Sequence, residues 1–153
     1  MQSTSRAEPK EAAAVSPLFA EIQAEYGDAF DAALARNVAD ALAEDIGDGD
    51  LTGRLVPADS VRDARVVVRE DAVLCGVPWF AAVMRQVDPA IELHWRYREG
   101  DRMASDSEVC TMRGPARALL TAERNALNFL QLLSGVATAT RRYADIVAGT
   151  RAR

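Results

Sequence analysis

The sequence predicts an α+β domain with an antiparallel sheet, and three observations lead there. A helical period with a capped start runs over residues 28–44. Residues 61–69 and 91–98 alternate apolar and polar side chains with the two-residue period of strands. From residue 115 onward the chain reads as two consecutive helical pieces.

Taken in order, residues 1–16 are rich in Ala, Ser, Glu and Pro, carry no apolar period and read as a flexible leader. Asp28 is a candidate N-cap with Asp31 at N3, and Phe30, Leu34, Val38 and Leu42 follow in one apolar stripe, giving a helix that ends near Glu44. EDIGDGDLTG closes it as a turn. A calcium loop fits poorly, because Asp45, Asp48 and Asp50 lack the alternate spacing and no closing Glu follows. Val61 to Arg69 predicts a strand and Val73 to Cys75 a short second one, after which VPWFAAVMRQVD reads as a helix with Pro78 in its first turn. Ile91 to Arg98 is a half-solvated strand with His94 on its polar face, where a solvated residue is a better reading than a ligand or base. A turn at Glu99, Gly100 and Asp101 leads to a further strand at Glu108 to Met112. Gly114 and Pro115 open a long helix past Leu133, Ser134 and Gly135 are expected to break it, and a second piece runs from Val136 to Ala148 with Gly149 as its cap. Thr150 to Arg153 would begin another strand.

Composition narrows the function. The 153 residues make one domain's worth of chain, able to bury roughly 70% of its unfolded surface without staples. With 18 Lys+Arg against 23 Asp+Glu the net charge is −5, which argues against a general binder of nucleic acid or anionic membranes. No apolar run is long enough to span a bilayer and no secretory signal opens the chain, so a cytoplasmic protein is expected. Cys75 and Cys110 read as free thiols, since two cysteines make neither a disulfide framework nor a metal cluster. Lys10 is the only lysine, and it lies in the leader.

The most informative pattern lies between Pro115 and Leu133. Leu119, Leu120, Leu127, Leu130 and Leu133 are placed to bury one side of a helix, while Arg117, Thr121, Arg124, Asn128 and Gln131 recur at spacings of 4, 3, 4 and 3 on another. That polar face holds two guanidinium groups and no carboxylate, so its arginines find no partner on the face itself. Such donors hold carboxylates or phosphates, Arg bidentately. A plain solvated face is the competing reading. Glu123 lies about 100° round the helix from Arg124 and is no obvious base. No Ser/His/Asp or Cys/His set, zinc cluster or Gly-rich phosphate loop accompanies the stripe.

EDIGDGDLT, GPARALLTAERNALNFLQLLSGVAT and the terminal GTRAR together resemble the quinolinate phosphoribosyltransferases, also called nicotinate-nucleotide pyrophosphorylases (carboxylating), over about Phe30 to Arg153. The resemblance implies an N-terminal α/β sandwich of the hammerhead type with an antiparallel sheet, followed by helices leading into an α/β barrel. It also implies a homodimer, with the barrel of one subunit facing the N-terminal domain of the other. On that pattern residues 17–114 are the sandwich and 115–153 a helical segment that starts the barrel domain. The implied reaction turns quinolinate and phosphoribosyl pyrophosphate into nicotinate mononucleotide, carbon dioxide and pyrophosphate, with Mg2+, in NAD biosynthesis. Arg124 matches the arginine of the family's Glu-Arg motif, which reaches a quinolinate carboxylate in the partner subunit's site. It is the one site residue carried over. The family's Asp-Thr-Arg-Lys-Thr, His-Arg and acidic metal-binding segments do not occur here, so catalytic residues and metal ligands are expected to be missing and the chain to be a truncated member, inactive alone. The alternatives are a paralogous phosphoribosyltransferase of nicotinate or molybdenum-operon type, a non-catalytic dimerisation fragment, and a lipoyl-like carrier suggested by the turn REGDRM. The last of these lacks the lysine such a carrier needs.

Overall fold

A computed structural model describes residues 17–46, 56–57 and 59–151. The leader assigned to 1–16 and the turn that closes the first helix therefore lie outside the described residues, Asp48 and Asp50 included. Helix α1 spans Pro17–Ile46 but is interrupted at Gly27, whose φ of 44° and ψ of −126° are not helical. The second segment thus starts at Asp28 as the capping pattern predicts, and the stretch before Gly27 is helical as well. Gln23 Nε2 donates to both oxygens of Asp31 at 3.1 and 3.0 Å, bracing the kink. The predicted stripe is on the buried side: Val38 and Leu42 are in the core, Leu34 packs against it, and Phe30 meets the ring of Trp79 edge-on at 5.5 Å.

Strands β1 (Val61–Val67), β3 (Glu92–Trp95) and β5 (Glu108–Pro115) form one antiparallel sheet in the order β1-β5-β3. Its register explains both of its faces. Ala64, Met112 and Leu93 are aligned across the three strands, as are Val66, Cys110 and Trp95, and these apolar rows point into the core. On the other face Arg65, Thr111 and His94 align, beside Asp63, Arg113 and Glu92, and Arg113 donates to Asp63 at 2.9 Å. His94 is exposed there, as the alternation predicts. β2 (Ala72–Val73) and β4 (Arg102–Met103) make a separate two-stranded ladder. The expected second strand therefore sits one residue early, and the REGDRM turn joins strands of different sheets and is no hairpin.

Helix α2 (Val77–Val87) follows Gly76, its N-cap with φ 105°, and carries Pro78 in its first turn. Glu99 caps it from the REGDRM turn, its two oxygens accepting from Gly76 N at 2.8 Å and Val77 N at 3.0 Å. This satisfies two of the helix's open donors and puts negative charge at the positive end of its dipole. Glu99→Ala is expected to destabilise the fold by about 1–3 kcal/mol because both half-buried amides lose their acceptor, with Glu99→Gln losing less. Urea midpoints of the two variants check this, and equal midpoints for parent and Glu99→Ala would refute the capping role.

Helix α3 runs without a break over Ala116–Val147, which corrects the expected interruption at Ser134 and Gly135. Gly135 has nothing within 4 Å of where a Cβ would stand, so it faces open space and loses the helix only about 1 kcal/mol relative to Ala. Ser134 is not a helix end but a bracket. Its hydroxyl accepts from Cys75 N and donates to Cys75 O, both at 3.0 Å, while Thr138 one turn on accepts from Val73 N at 2.9 Å. The α3 hydroxyls thereby satisfy backbone groups at the end of β2 and just beyond it, and Cys75 is held by a helix where a strand partner was expected. Gly149 takes φ 83° after the helix as its capping role requires, and Thr150 bonds back to Val147 O instead of beginning a strand.

Leu119 and Leu130 of α3 are buried with Phe80, Val83, Leu74, Val109 and Cys110, but the other small contacts come from Ala122 and Ala126. Leu120, expected on the buried side, is exposed. Further along, Leu132, Val136, Tyr143 and Val147 are exposed at spacings of 4, 7 and 4, an apolar stripe on one face of α3. No helix among the described residues is long and apolar enough to cross a membrane.

Both cysteines are free, Cys110 buried and Cys75 partly so. Burial pushes the Cys110 thiol from 9.0 up to about 12. Burial, reinforced by the charge and hydrogen bond of Glu99, does the same at Cys75. The folded chain therefore keeps protons that the unfolded chain releases. The associated stability is whole below about pH 9 and is lost as pH climbs from 9 toward 12. Unfolding midpoints recorded from pH 8 to 11 should fall in the parent and fall less steeply in a Cys75→Ala, Cys110→Ala double variant; parallel slopes would refute the assignment.

Candidate functional site

The predicted stripe does form one face of α3, but other elements reach across and engage its arginines. Arg117 Nε donates to Val56 O at 2.6 Å. Thr121 Oγ1 donates back to Arg117 O at 2.9 Å along the helix. Arg124 Nη1 donates to Asp45 Oδ1 at 2.8 Å. The carboxylate absent from the face is thus supplied to Arg124 by α1, 79 residues away in sequence, so the arginines find their partners off the face and not on it. Asn128 and Gln131 are exposed on the same face.

The centre of the site is the triplet Asp45, Arg124 and Asn125. Asp45 lies in the last turn of α1, and its side chain is 24% exposed, whereas that of Arg124 is 75% exposed. The second oxygen of Asp45 accepts from Asn125 Nδ2 at 3.2 Å, and Asn125 is one of two buried polar residues among those described, with Ser134. One carboxylate thus joins two consecutive residues of α3, one facing inward and one outward. Among the described residues, Nε and Nη2 of Arg124 have no partner, so an edge of the guanidinium fork stays available for a carboxylate.

Next to Asp45 a shallow cavity of about 390 Å³ is lined by Glu44, Asp45, Asn125, Asn128, Phe129 and Leu132, and its two acids make it a poor seat for an anion. Arg124 is not part of its lining. The guanidinium instead stands proud of the surface. Glu123 faces elsewhere, at the rim of an apolar cleft of about 450 Å³ with Arg62 and Arg65, and so is not placed as a base for Arg124's ligand. Among the described residues no group of three or more His, Cys, Asp or Glu is arranged to hold a metal ion.

Sequence reasoning found Arg124 and missed Asp45 and Asn125. The signal for Asp45 was its place beside Glu44 at the C-terminal end of a helix with no basic residue in its last turn, where the dipole disfavours negative charge. An acid in that position asks for a cation from another element.

An antiparallel sheet covered on one face by helices, with an exposed arginine of the long helix paired to an acid of the first, defines an α+β domain. Comparison with known proteins specifies it further. Residues 50–134 match the family described as quinolinate phosphoribosyl transferase, N-terminal domain. The chain belongs to that family. It is 39% identical over 107 residues to a probable nicotinate-nucleotide pyrophosphorylase (carboxylating) of Synechocystis, covering 70% of this chain and 36% of that one. It is 35% identical over 107 residues to quinolinate phosphoribosyltransferase (decarboxylating) 1b of Nicotiana tabacum, covering 69% of this chain and 31% of that one. The fold is similar to the nicotinate-nucleotide pyrophosphorylase from Francisella tularensis, with a TM-score of 0.73 at 35% identity over 76% of this chain and 42% of that one. It is also similar to NadC from Streptococcus pyogenes, with a TM-score of 0.75 at 30% identity over 79% and 44%. The chain thus spans about a third of the length of these curated relatives.

Proposed function

We propose that this chain is the quinolinate-contacting N-terminal domain of a quinolinate phosphoribosyltransferase, the pentosyltransferase that makes nicotinate mononucleotide, carbon dioxide and pyrophosphate from quinolinate and phosphoribosyl pyrophosphate. The observation that carries it is Arg124. Its guanidinium is held through Nη1 by Asp45, and among the described residues its Nε and Nη2 edge has no partner. An arginine presented in this way completes a pocket on another surface, which fits the barrel of a partner subunit in a homodimer. The exposed stripe of Leu132, Val136, Tyr143 and Val147 offers apolar surface for such packing. In this reading magnesium and the phosphoribosyl groups belong to the part of the relatives' length that this chain does not span.

With carboxyl-labelled quinolinate, phosphoribosyl pyrophosphate and Mg2+, the full-length protein carrying this domain should release labelled carbon dioxide, and the 153-residue chain should release none. Turnover by the chain alone would overturn the division of roles. A full-length protein inert toward quinolinate but active on nicotinate would overturn the substrate.

A further inference from the structure

We propose that Asp45 is a positioning residue for Arg124, holding the guanidinium so that its free edge meets the substrate carboxylate; this rests on the functional reading of Arg124 given above. Three observations converge. First, the carboxylate is itself fixed, since one oxygen accepts from the buried Asn125 amide at 3.2 Å and the other from Arg124 Nη1 at 2.8 Å. Second, Asp45 sits at the helix end where a negative charge is locally unfavourable, and α1 has no basic residue there to offset it, so its placement answers to a tertiary partner. Third, the partner is 75% exposed, and ion pairs so open to water contribute little to folding. Stability alone therefore does not account for the pair.

The consequence for binding is entropic. A free arginine on a surface samples many rotamers, and a ligand that captures it must bear the loss of that freedom. Pairing through Nη1 anchors the fork while leaving the Nε and Nη2 edge open, which is the geometry a bidentate carboxylate needs. The same negative charge could instead compete with an anionic ligand for the guanidinium. Anchoring wins in our reading because a single Nη1 contact occupies one corner of a five-donor fork.

Steady-state kinetics of the full-length protein test it through a double-mutant cycle. Asp45→Asn should raise KM for quinolinate about 2- to 10-fold, with kcat and the KM for phosphoribosyl pyrophosphate moving much less. In an Arg124→Ala background the same change should add nothing, because the residue it acts through is gone. A loss of equal size in both backgrounds would mean Asp45 is merely structural, and a lower KM in Asp45→Asn would mean it is a competing counterion; either overturns the proposal. If Arg124→Ala itself leaves quinolinate KM unchanged, the functional reading of Arg124 fails. If only Asp45→Asn has no effect, the positioning role fails alone. A second measurement needs no variant. In the 153-residue chain, 15N relaxation of the side-chain Nε should show Arg124 more rigid than the exposed Arg141 and Arg142. Equal mobility would refute the anchor.

Discussion

Replacing Phe80 with Ala is expected to destabilise the domain by about 3–5 kcal/mol, the largest stability effect of any single truncation in this core. Phe80 is fully buried, and its ring meets Trp95 edge-on at 5.3 Å and 76°. It stands where α2, α3 and the sheet's inner face converge, with Leu119 and Met112 in the same cluster. The change removes transfer energy, leaves a cavity that rigid neighbours on three sides refill poorly, and forfeits the aromatic pair. A domain of this size has about 5–15 kcal/mol in all, so the variant should melt on the order of 10–20 °C lower or fail to accumulate folded. Leu132→Ala is the control. Leu132 is as apolar but 67% exposed, and its loss should stay within about 0.5 kcal/mol. Matching melting curves for the two variants would show that the core is not centred on Phe80.

What the sequence disclosed and what it hid follow from range. The β1 alternation, the α2 first turn with Pro78 and the α1 stripe of Leu34, Val38 and Leu42 were legible because periodicity and capping act within a few residues. β2 and β4 are two residues each, too short to carry a period. Ser134 and Gly135 follow the local rule for a helix end. The helix continues because the Ser134 hydroxyl is committed to Cys75, 59 residues away, a bond that no window on the sequence contains. The same holds at the site. Arg124 stood out because its own face carried no acid, but the acid that holds it is 79 residues distant, so its ion pair with Asp45 was invisible. Leu120 was placed in the core by its residue type, whereas alanines take the closest helix contacts and leave it at the surface.

Arg124→Ala is expected to weaken quinolinate binding by the worth of a charge-assisted contact, about 1.5–3 kcal/mol or roughly 10- to 150-fold, while leaving phosphoribosyl pyrophosphate binding near its parent value. The fold should survive, because the ion pair it breaks is an exposed one worth at most about 1 kcal/mol and Asp45 keeps its bond to Asn125. Arg124→Lys should restore only part of the loss, since an ammonium cannot reproduce the planar fork. Arg124 is exposed and does not line the cavity beside Asp45, and under the proposed function its ligand sits in a facing subunit, which has a sharper test. Mix Arg124→Ala chains with chains disabled in the barrel and let the dimers re-equilibrate. Each heterodimer then contains one site with both an intact arginine and an intact barrel, so a one-to-one mixture should recover about a quarter of parental activity from two nearly inactive parents. If the mixture shows only the sum of its parents, Arg124 acts within its own chain, and the shared site is wrong.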